Sequence, residues 1–306
     1  MAWGTKDIPD LSGKTVLITG ANSGLGLEAA RMFAAKGAEV VLACRRPSAA
    51  DEAVATIRAE SPSAKLEVLE LDLADLASVR KAAATFTAKH RRLDVLLNNA
   101  GIMAIPRRET KDGFEMQLGT NHLGHYALTG LLLDTLLATP GSRVVNVASG
   151  AHLIGRMNFD DLHGKKRYSK WGAYGQSKLS NLLFTLELSK RLASKGGSTI
   201  ALAAHPGYAS TNLQAVGPKM ENSSIAESFV TLGNAIFAQS AHAGALPLVR
   251  AAVDPDAKSN DYFGPAIGGF RGAPTHNGRS SRAKDGASAQ RLWEASRTAT
   301  GVAYLE

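Results

Sequence analysis

Lys14-Thr15-Val16-Leu17-Ile18-Thr19 runs directly into Gly20-Ala21-Asn22-Ser23-Gly24-Leu25-Gly26, and Leu25, Ala29, Met32 and Phe33 come after at helical spacing until Gly37. A β-branched run, a glycine-rich turn and an amphipathic helix, in that order, open a βαβ unit. Glycines in such a turn let the backbone bend tightly and approach a pyrophosphate, whose charge then sits at the helix N-terminus. Gly20, Asn22, Ser23, Gly24, Leu25 and Gly26 are therefore candidate dinucleotide contacts. A packing turn would look the same in isolation. The rest of the chain decides between them.

The alternation continues. Strands are predicted at Glu39–Cys44, Leu66–Leu71, Asp94–Asn98, Ser142–Val147 and Thr199–Ala204. Between them helical patterns begin at Ser48 and near Leu76, run as one long helix from Phe114 to about Ala138, and run again from about Ala173 to Ser194. Strands separated by helices of this length mean right-handed crossovers and a parallel sheet covered on both faces. The expected fold is α/β, a doubly wound parallel sheet of Rossmann-like type in a single domain spanning residues 1–306. Its core would occupy about 13–211, with substrate-side helices and a C-terminal region over 212–306. Residues 205–253 read as mostly helical, 254–285 as loop, and Ala287–Arg297 as a short helix.

Composition narrows the function. In 306 residues, 44% are apolar and 20% charged, enough to bury a large core. Uninterrupted apolar runs reach five residues, as in Val40–Cys44, so no membrane span is expected, and the N-terminal residues show no apolar core of a signal peptide. One cysteine, Cys44, excludes an intrachain disulfide and a cysteine zinc cluster. A cytoplasmic enzyme without a membrane anchor is the expectation. The net charge of +8 is spread along the chain, and its densest run, Lys165-Lys166-Arg167, does not interleave with aromatics, so no nucleic-acid partner is expected.

The end of the second strand is where the adenosine ribose is read. A carboxylate would bind a 2′-hydroxyl; this chain has Cys44 followed by Arg45 and Arg46, a pair suited to a 2′-phosphate and hence to NADP(H). A solvated arginine pair at a helix entry is the plainer alternative. Asp72 and Leu73 would flank the adenine, and Asn98-Asn99-Ala100-Gly101 offers a close backbone approach at the carboxyl edge of the fourth strand. Tyr174 and Lys178 stand at i and i+4 on one helical face, so an ammonium can lie near the phenol and lower its pKa. Alone, such a spacing is usually a surface pair. His122 and His125, at i and i+3, lack a convincing third ligand, and no metal is expected.

Taken together, these stretches resemble the short-chain dehydrogenase/reductase superfamily from about Gly13 to Thr211. The resemblance rests on the glycine turn, Asn98-Asn99-Ala100-Gly101, Asn121, Ser149, Tyr174-x-x-x-Lys178, and Pro206-Gly207 with Thr211. In finer texture the chain is similar to the retinol-dehydrogenase-like branch through Ala43-Cys44-Arg45, Gly119–His125 and Gln176–Asn181. The resemblance implies that Tyr174 gives a proton to a substrate carbonyl, that Ser149 hydrogen-bonds the same oxygen, and that Lys178 holds the nicotinamide ribose. It further implies that Asn121 positions a water and that Pro206, Gly207 and Thr211 clamp the nicotinamide. Ser149 and Tyr174 are 25 positions apart, longer than is common, and the segment between them is expected beside the substrate mouth. The apolar residues of 212–240 suggest a substrate with a substantial apolar body. The implied activity is NADP(H)-dependent carbonyl–alcohol interconversion on a small molecule, with a homo-oligomer possible. The alternatives are reduction of a conjugated C=C bond and a catalytically silent NADP-binding module.

Overall fold

The computed structural model describes residues 2–208 and 239–306. The strands are β1 (Thr15–Thr19), β2 (Glu39–Cys44), β3 (Lys65–Glu70), β4 (Val95–Asn98), β5 (Arg143–Val147), β6 (Ile200–Ala204), β7 (Tyr262–Ile267) and β8 (Arg271–His276). Among the described residues they form one sheet in the order β3-β2-β1-β4-β5-β6-β7-β8. All pairings are parallel except β7 with β8. The chain steps outward from β1 to β3, returns to β4 and continues the other way, which leaves the switch point between β1 and β4.

Each face of the sheet is packed. Val16, Ile18, Val40, Leu42, Val145 and Leu202 point to one side, against α1 (Gly24–Ala35), α2 (Pro47–Glu60) and a later helix at Ala241–Val253. Leu17, Val41, Leu96, Val144 and Ala201 point to the other, against α3 (Leu76–Lys89) and the helices of residues 116–194. Neighbours in a strand thus serve opposite cores, so the strands read as continuous apolar runs.

Three features depart from the sequence expectations. The long helix is interrupted: α4 (Met116–Leu118) passes into a π turn (Gly119–Leu123), then α5 (Gly124–Leu131) and α6 (Leu133–Leu137). The π turn holds Asn121. Second, α7 (Lys170–Ser194) starts three residues earlier than expected, where the Ser169 side chain accepts the Gly172 N–H. Third, 254–285 is not loop throughout, because it contains the β7–β8 hairpin. Pro265 and Pro274 face each other in that hairpin and hide its strand character. Both prolines are tolerable at the edge of a sheet. Its signal is Gly268-Gly269, both at positive φ and closed by the Phe270 N–H to Ile267 carbonyl bond of 3.0 Å.

After the hairpin, α8 being the helix at Ala241–Val253, the chain ends in α9 (Gly286–Thr300). Trp293 on α9 and Tyr304 beyond it pack with Tyr126 of α5 and Phe184 of α7. Arg191 lies 4.6 Å from the Trp293 ring and donates to the Leu305 carbonyl at 2.9 Å. Apart from Gln239 and Ser240, the 212–240 segment lies outside the described residues, as does Thr211.

Candidate functional site

The carboxyl ends of β1, β4, β5 and β6 converge on one edge, where the chain delivers most of the candidate residues. At β1, Gly20 takes a φ of +67° and sits where a Cβ would come within 3.0 Å of Ala100. At Gly26 a Cβ would lie 2.3 Å from the Gly20 carbonyl and 2.7 Å from Asn99 Nδ2, so only hydrogen fits. Ser23 is the N-cap of α1 and makes no capping bond with its side chain, so the first amides of α1 keep their donors for an anion. This cradle fits a pyrophosphate. Cys44, at the end of β2, lies against the same turn, near the Ala21 and Asn22 amides; burial pushes its thiol up to about 11. Arg45 and Arg46 come next, exposed, with no ion pair among the described residues. Asp72 accepts the Ala74 N–H at 2.9 Å, and the Leu73 carbonyl lies where a Cβ on Gly124 would reach it at 2.5 Å.

The end of β4 is tied to the end of β1. Asn99 Nδ2 donates to the Thr19 carbonyl at 2.8 Å, and the Asn99 and Ala100 amides both donate to Thr19 Oγ1 at 2.9 Å. Thr19 Oγ1 also meets His125 Nε2 at 2.8 Å, while His125 Nδ1 meets the Asn121 carbonyl at 3.0 Å. A carbonyl only accepts, so Nδ1 carries the proton. Burial lowers the His125 pKa to about 4, leaving the ring neutral and Nε2 to accept the Thr19 hydroxyl. Every group in this knot is paired. Thr19→Val keeps the shape but strands the Ala100 amide and one ring nitrogen, at about 1–3 kcal/mol each, while the Asn99 amide keeps the Leu97 carbonyl at 3.0 Å. Urea unfolding is expected to show a loss of about 2–6 kcal/mol, largely restored by Thr19→Ser. A Thr19→Val variant as stable as the parent would show that the knot holds nothing together.

Around Tyr174 the geometry is compact. Asn121 Nδ2 donates to the Ile102 carbonyl and to Ser177 Oγ, both at 2.9 Å, and its Oδ1 accepts the Ile102 N–H at 2.8 Å. Ser177 in turn donates to the Tyr174 carbonyl at 2.8 Å. Ser149, just past the end of β5, lies near enough to the Tyr174 phenol to act against the effect of its burial, and accepts the Ala151 N–H at 3.2 Å. Lys178 Nζ donates to the Val147 carbonyl at 3.1 Å and lies 5.8 Å from the Tyr174 ring centre. A Cβ on Gly101 would fall 3.1 Å from Asn121 Oδ1 and 3.5 Å from Lys178 Nζ, which puts all three at one place.

The electrostatics correct one expectation. Tyr174 is not lowered by its neighbour: burial pushes it up to about 12, with the nearby Ser149 hydroxyl acting against this. Lys178 points at a backbone carbonyl, and burial brings it down to about 8. Here desolvation outweighs the i, i+4 pairing.

Pro206 and Gly207 lie just beyond β6. The Pro206 carbonyl accepts from Gln239 Nε2 at 2.5 Å, and a Cβ on Gly207 would fall 2.3 Å from the Phe270 carbonyl, so the hairpin docks there. Sequence reasoning missed Thr19 and Ser177 as members of the site, and saw His125 only as a packing residue or failed ligand. For His125 the signal was its place one helical turn after Asn121. His122 faces away and meets Ser296 of α9 at 2.8 Å. The described residues contain no group of three or more His, Cys, Asp or Glu able to hold a metal ion.

Comparison with known proteins agrees with this arrangement. The family described as short chain dehydrogenase matches residues 14–222. Mouse retinol dehydrogenase 12 is 50% identical over 197 residues, which cover 64% of this chain and 62% of that protein, so the chain spans under two thirds of that relative's length. Mouse retinol dehydrogenase 14 is 38% identical over 304 residues, covering 95% of this chain and 87% of the relative. A crystallised uncharacterised protein from Mycobacterium paratuberculosis is 42% identical, with a TM-score of 0.81 over 99% of this chain and 98% of its own. With the glycine cradle, the switch-point edge and these matches in hand, the chain belongs to the short-chain dehydrogenase family and is retinol-dehydrogenase-like within it.

Proposed function

We propose that the protein is an NADP(H)-dependent oxidoreductase that interconverts the carbonyl and alcohol of a fairly apolar small molecule, with Tyr174 as acid/base. The observation that carries this reading is the convergence of Tyr174, Ser149 and Lys178 at the carboxyl edge of the sheet, with Lys178 Nζ 5.8 Å from the Tyr174 ring centre. The bound nicotinamide supplies or accepts the hydride. The chain's residues handle the proton and the charge. Tyr174, held in its neutral form by burial, gives its proton to the substrate oxygen, and Ser149 donates to the same oxygen as negative charge develops there. Lys178 holds the ribose from its place beside Gly101. Both amide hydrogens of Asn121 are engaged and its Oδ1 accepts one N–H, so the second lone pair of Oδ1, beside Gly101 and Lys178, is the acceptor offered to a relay water. Pro206 and Gly207 bound the nicotinamide end.

Two measurements test the reading. The first is cofactor choice. A 2′-phosphate meeting Arg45, with Arg46 beside it, gains about 1.5–3 kcal/mol, or roughly ten- to a hundredfold in affinity. Titrations at one ionic strength are expected to favour NADPH over NADH at least tenfold in the parent, and less after Arg45→Ala with Arg46→Ala. Equal affinities in the parent would rule out the phosphate contact.

The second is a panel of ketones, aldehydes and enones monitored by NADPH consumption. Six of the seven large exposed hydrophobics among the described residues belong to this edge: Leu153, Ile154, Trp171, Tyr208, Ile267 and Phe270. Large apolar carbonyls are therefore expected to have the higher kcat/KM. Small polar aldehydes outrunning them all would overturn the substrate class. Activity confined to enones, or none at all, would favour C=C reduction or a silent binding module.

A further inference from the structure

His152 takes no part in the proton and hydride chemistry, yet it is buried three residues after Ser149, in the single turn Gly150–Leu153. Its Nδ1 lies 2.7 Å from the Ser149 carbonyl, which also accepts the His152 backbone N–H at 3.0 Å. Because a carbonyl only accepts, Nδ1 carries the proton, and Nε2 is left with a lone pair. That lone pair faces the Ser280 N–H at 3.4 Å. One ring therefore joins the catalytic-serine turn to the segment just past the β7–β8 hairpin. The same segment reaches the far end of the turn, where Arg282 donates to the Leu153 and Gly155 carbonyls at 3.2 and 3.0 Å. Tyr262 of β7 supports the imidazole edge-on, with ring centres 5.9 Å apart at 88°.

We propose that His152 is a positioning residue for Ser149, one that transmits the fixed placement of residues 280–282 to the serine hydroxyl that meets Tyr174. The inference rests on the reading that Ser149 and Tyr174 act on the substrate oxygen. The backbone of Ser149 is extended, at φ −159° and ψ 157°, so the direction of its side chain is set by that of its peptide planes. A histidine gripping the carbonyl from one side and an amide from the other fixes those planes. Misplacement by about an ångström at a reacting group can cost a hundredfold in rate.

Asparagine and glutamine separate positioning from packing. The short amide of His152→Asn reaches the place of Nδ1 and can donate to the Ser149 carbonyl. The longer amide of His152→Gln reaches the place of Nε2 and leaves that carbonyl without its side-chain donor. With the best carbonyl substrate and saturating NADPH, His152→Gln and His152→Ala are expected to lower kcat about ten- to a hundredfold, with KM and the NADPH Kd unchanged. His152→Asn should recover most of the loss. In a Ser149→Ala background, His152→Gln should cost nothing further, because the hydroxyl it places is gone.

A His152→Gln variant with parental kcat overturns the proposal. So do equal losses in the Asn and Gln variants, losses that multiply with Ser149→Ala, or failure of both amide variants to bind NADPH, since each makes the side chain a packing element. A Ser149→Ala variant that keeps parental kcat defeats the reading of the site itself, and the inference with it.

Discussion

Tyr174→Phe is expected to abolish turnover while leaving NADPH affinity within a few-fold of the parent. The ring is buried on α7 with Trp171 edge-on at 6.2 Å, and phenylalanine preserves that packing. What disappears is the hydroxyl beside Ser149, the group that in the proposed reaction gives its proton to the substrate oxygen. Loss of a general acid typically costs ~10²–10⁴ in rate, and kcat for the best carbonyl substrate is the measurement. Full activity in the variant would refute the assignment. The pH profile of the parent carries the same test in a second form. With the phenol pushed up to about 12 by burial, its proton-donating form is complete at neutral pH, so carbonyl reduction should be flat from pH 6 to 8. Alcohol oxidation needs the ionised form, whose population rises about tenfold per pH unit below that pKa, so the oxidation rate should climb over the same range. Reduction that climbs with pH would contradict the direction of the shift.

Gly26→Ala is the second large effect. The added methyl would meet the Gly20 carbonyl oxygen at 2.3 Å and its carbon at 2.9 Å, and neither is the end of a flexible side chain. Ordinary overpacking costs about 1–3 kcal/mol because side chains give way; here the pyrophosphate turn itself has to move. The expected result is a lower Tm together with a loss of NADPH affinity of at least about a hundredfold, equivalent to ~2.7 kcal/mol. Gly197→Ala, at a glycine with nothing within 4 Å, is the matched control and should change neither. If Gly26→Ala binds NADPH like the parent, the cradle is not where the cofactor's phosphates lie.

Much of this architecture is legible in the chain because the relevant signals are local. β1, β2, β4, β5 and β6 are mostly apolar runs and β3 alternates Leu66 and Val68 with Glu67 and Glu70, while the glycine turn, Asn99 and the Tyr174–Lys178 spacing are read within a few positions. What escaped is what depends on partners far away in sequence. Nothing near Thr19 announces that its hydroxyl will serve two amides just past β4, some 80 positions on, and a ring from α5, 106 positions on. The apolar pattern of residues 114–138 is helical throughout, and only the π turn shows that the backbone rearranges where Asn121 meets Ile102 and Ser177. The β7–β8 hairpin was obscured by prolines that a central strand would reject and an edge tolerates. Spacing alone also says that Lys178 can approach Tyr174, not that Lys178 will be buried and aimed at Val147.

The aromatic packing of α9 bears on how the chain is made. Tyr304 donates to the Tyr126 carbonyl at 3.1 Å across 178 positions, Arg80 reaches the Thr300 carbonyl across 220, and Trp293 covers Tyr126 and Phe184. Synthesis proceeds from the N-terminus at about 5–20 residues per second, so β1 to β6 and their helices leave the ribosome well before the residues that roof them. Until Trp293 and Tyr304 emerge, the nascent protein carries an uncovered apolar wall over α5 and α7. That interval, rather than the finished fold, is when chaperones have something to hold.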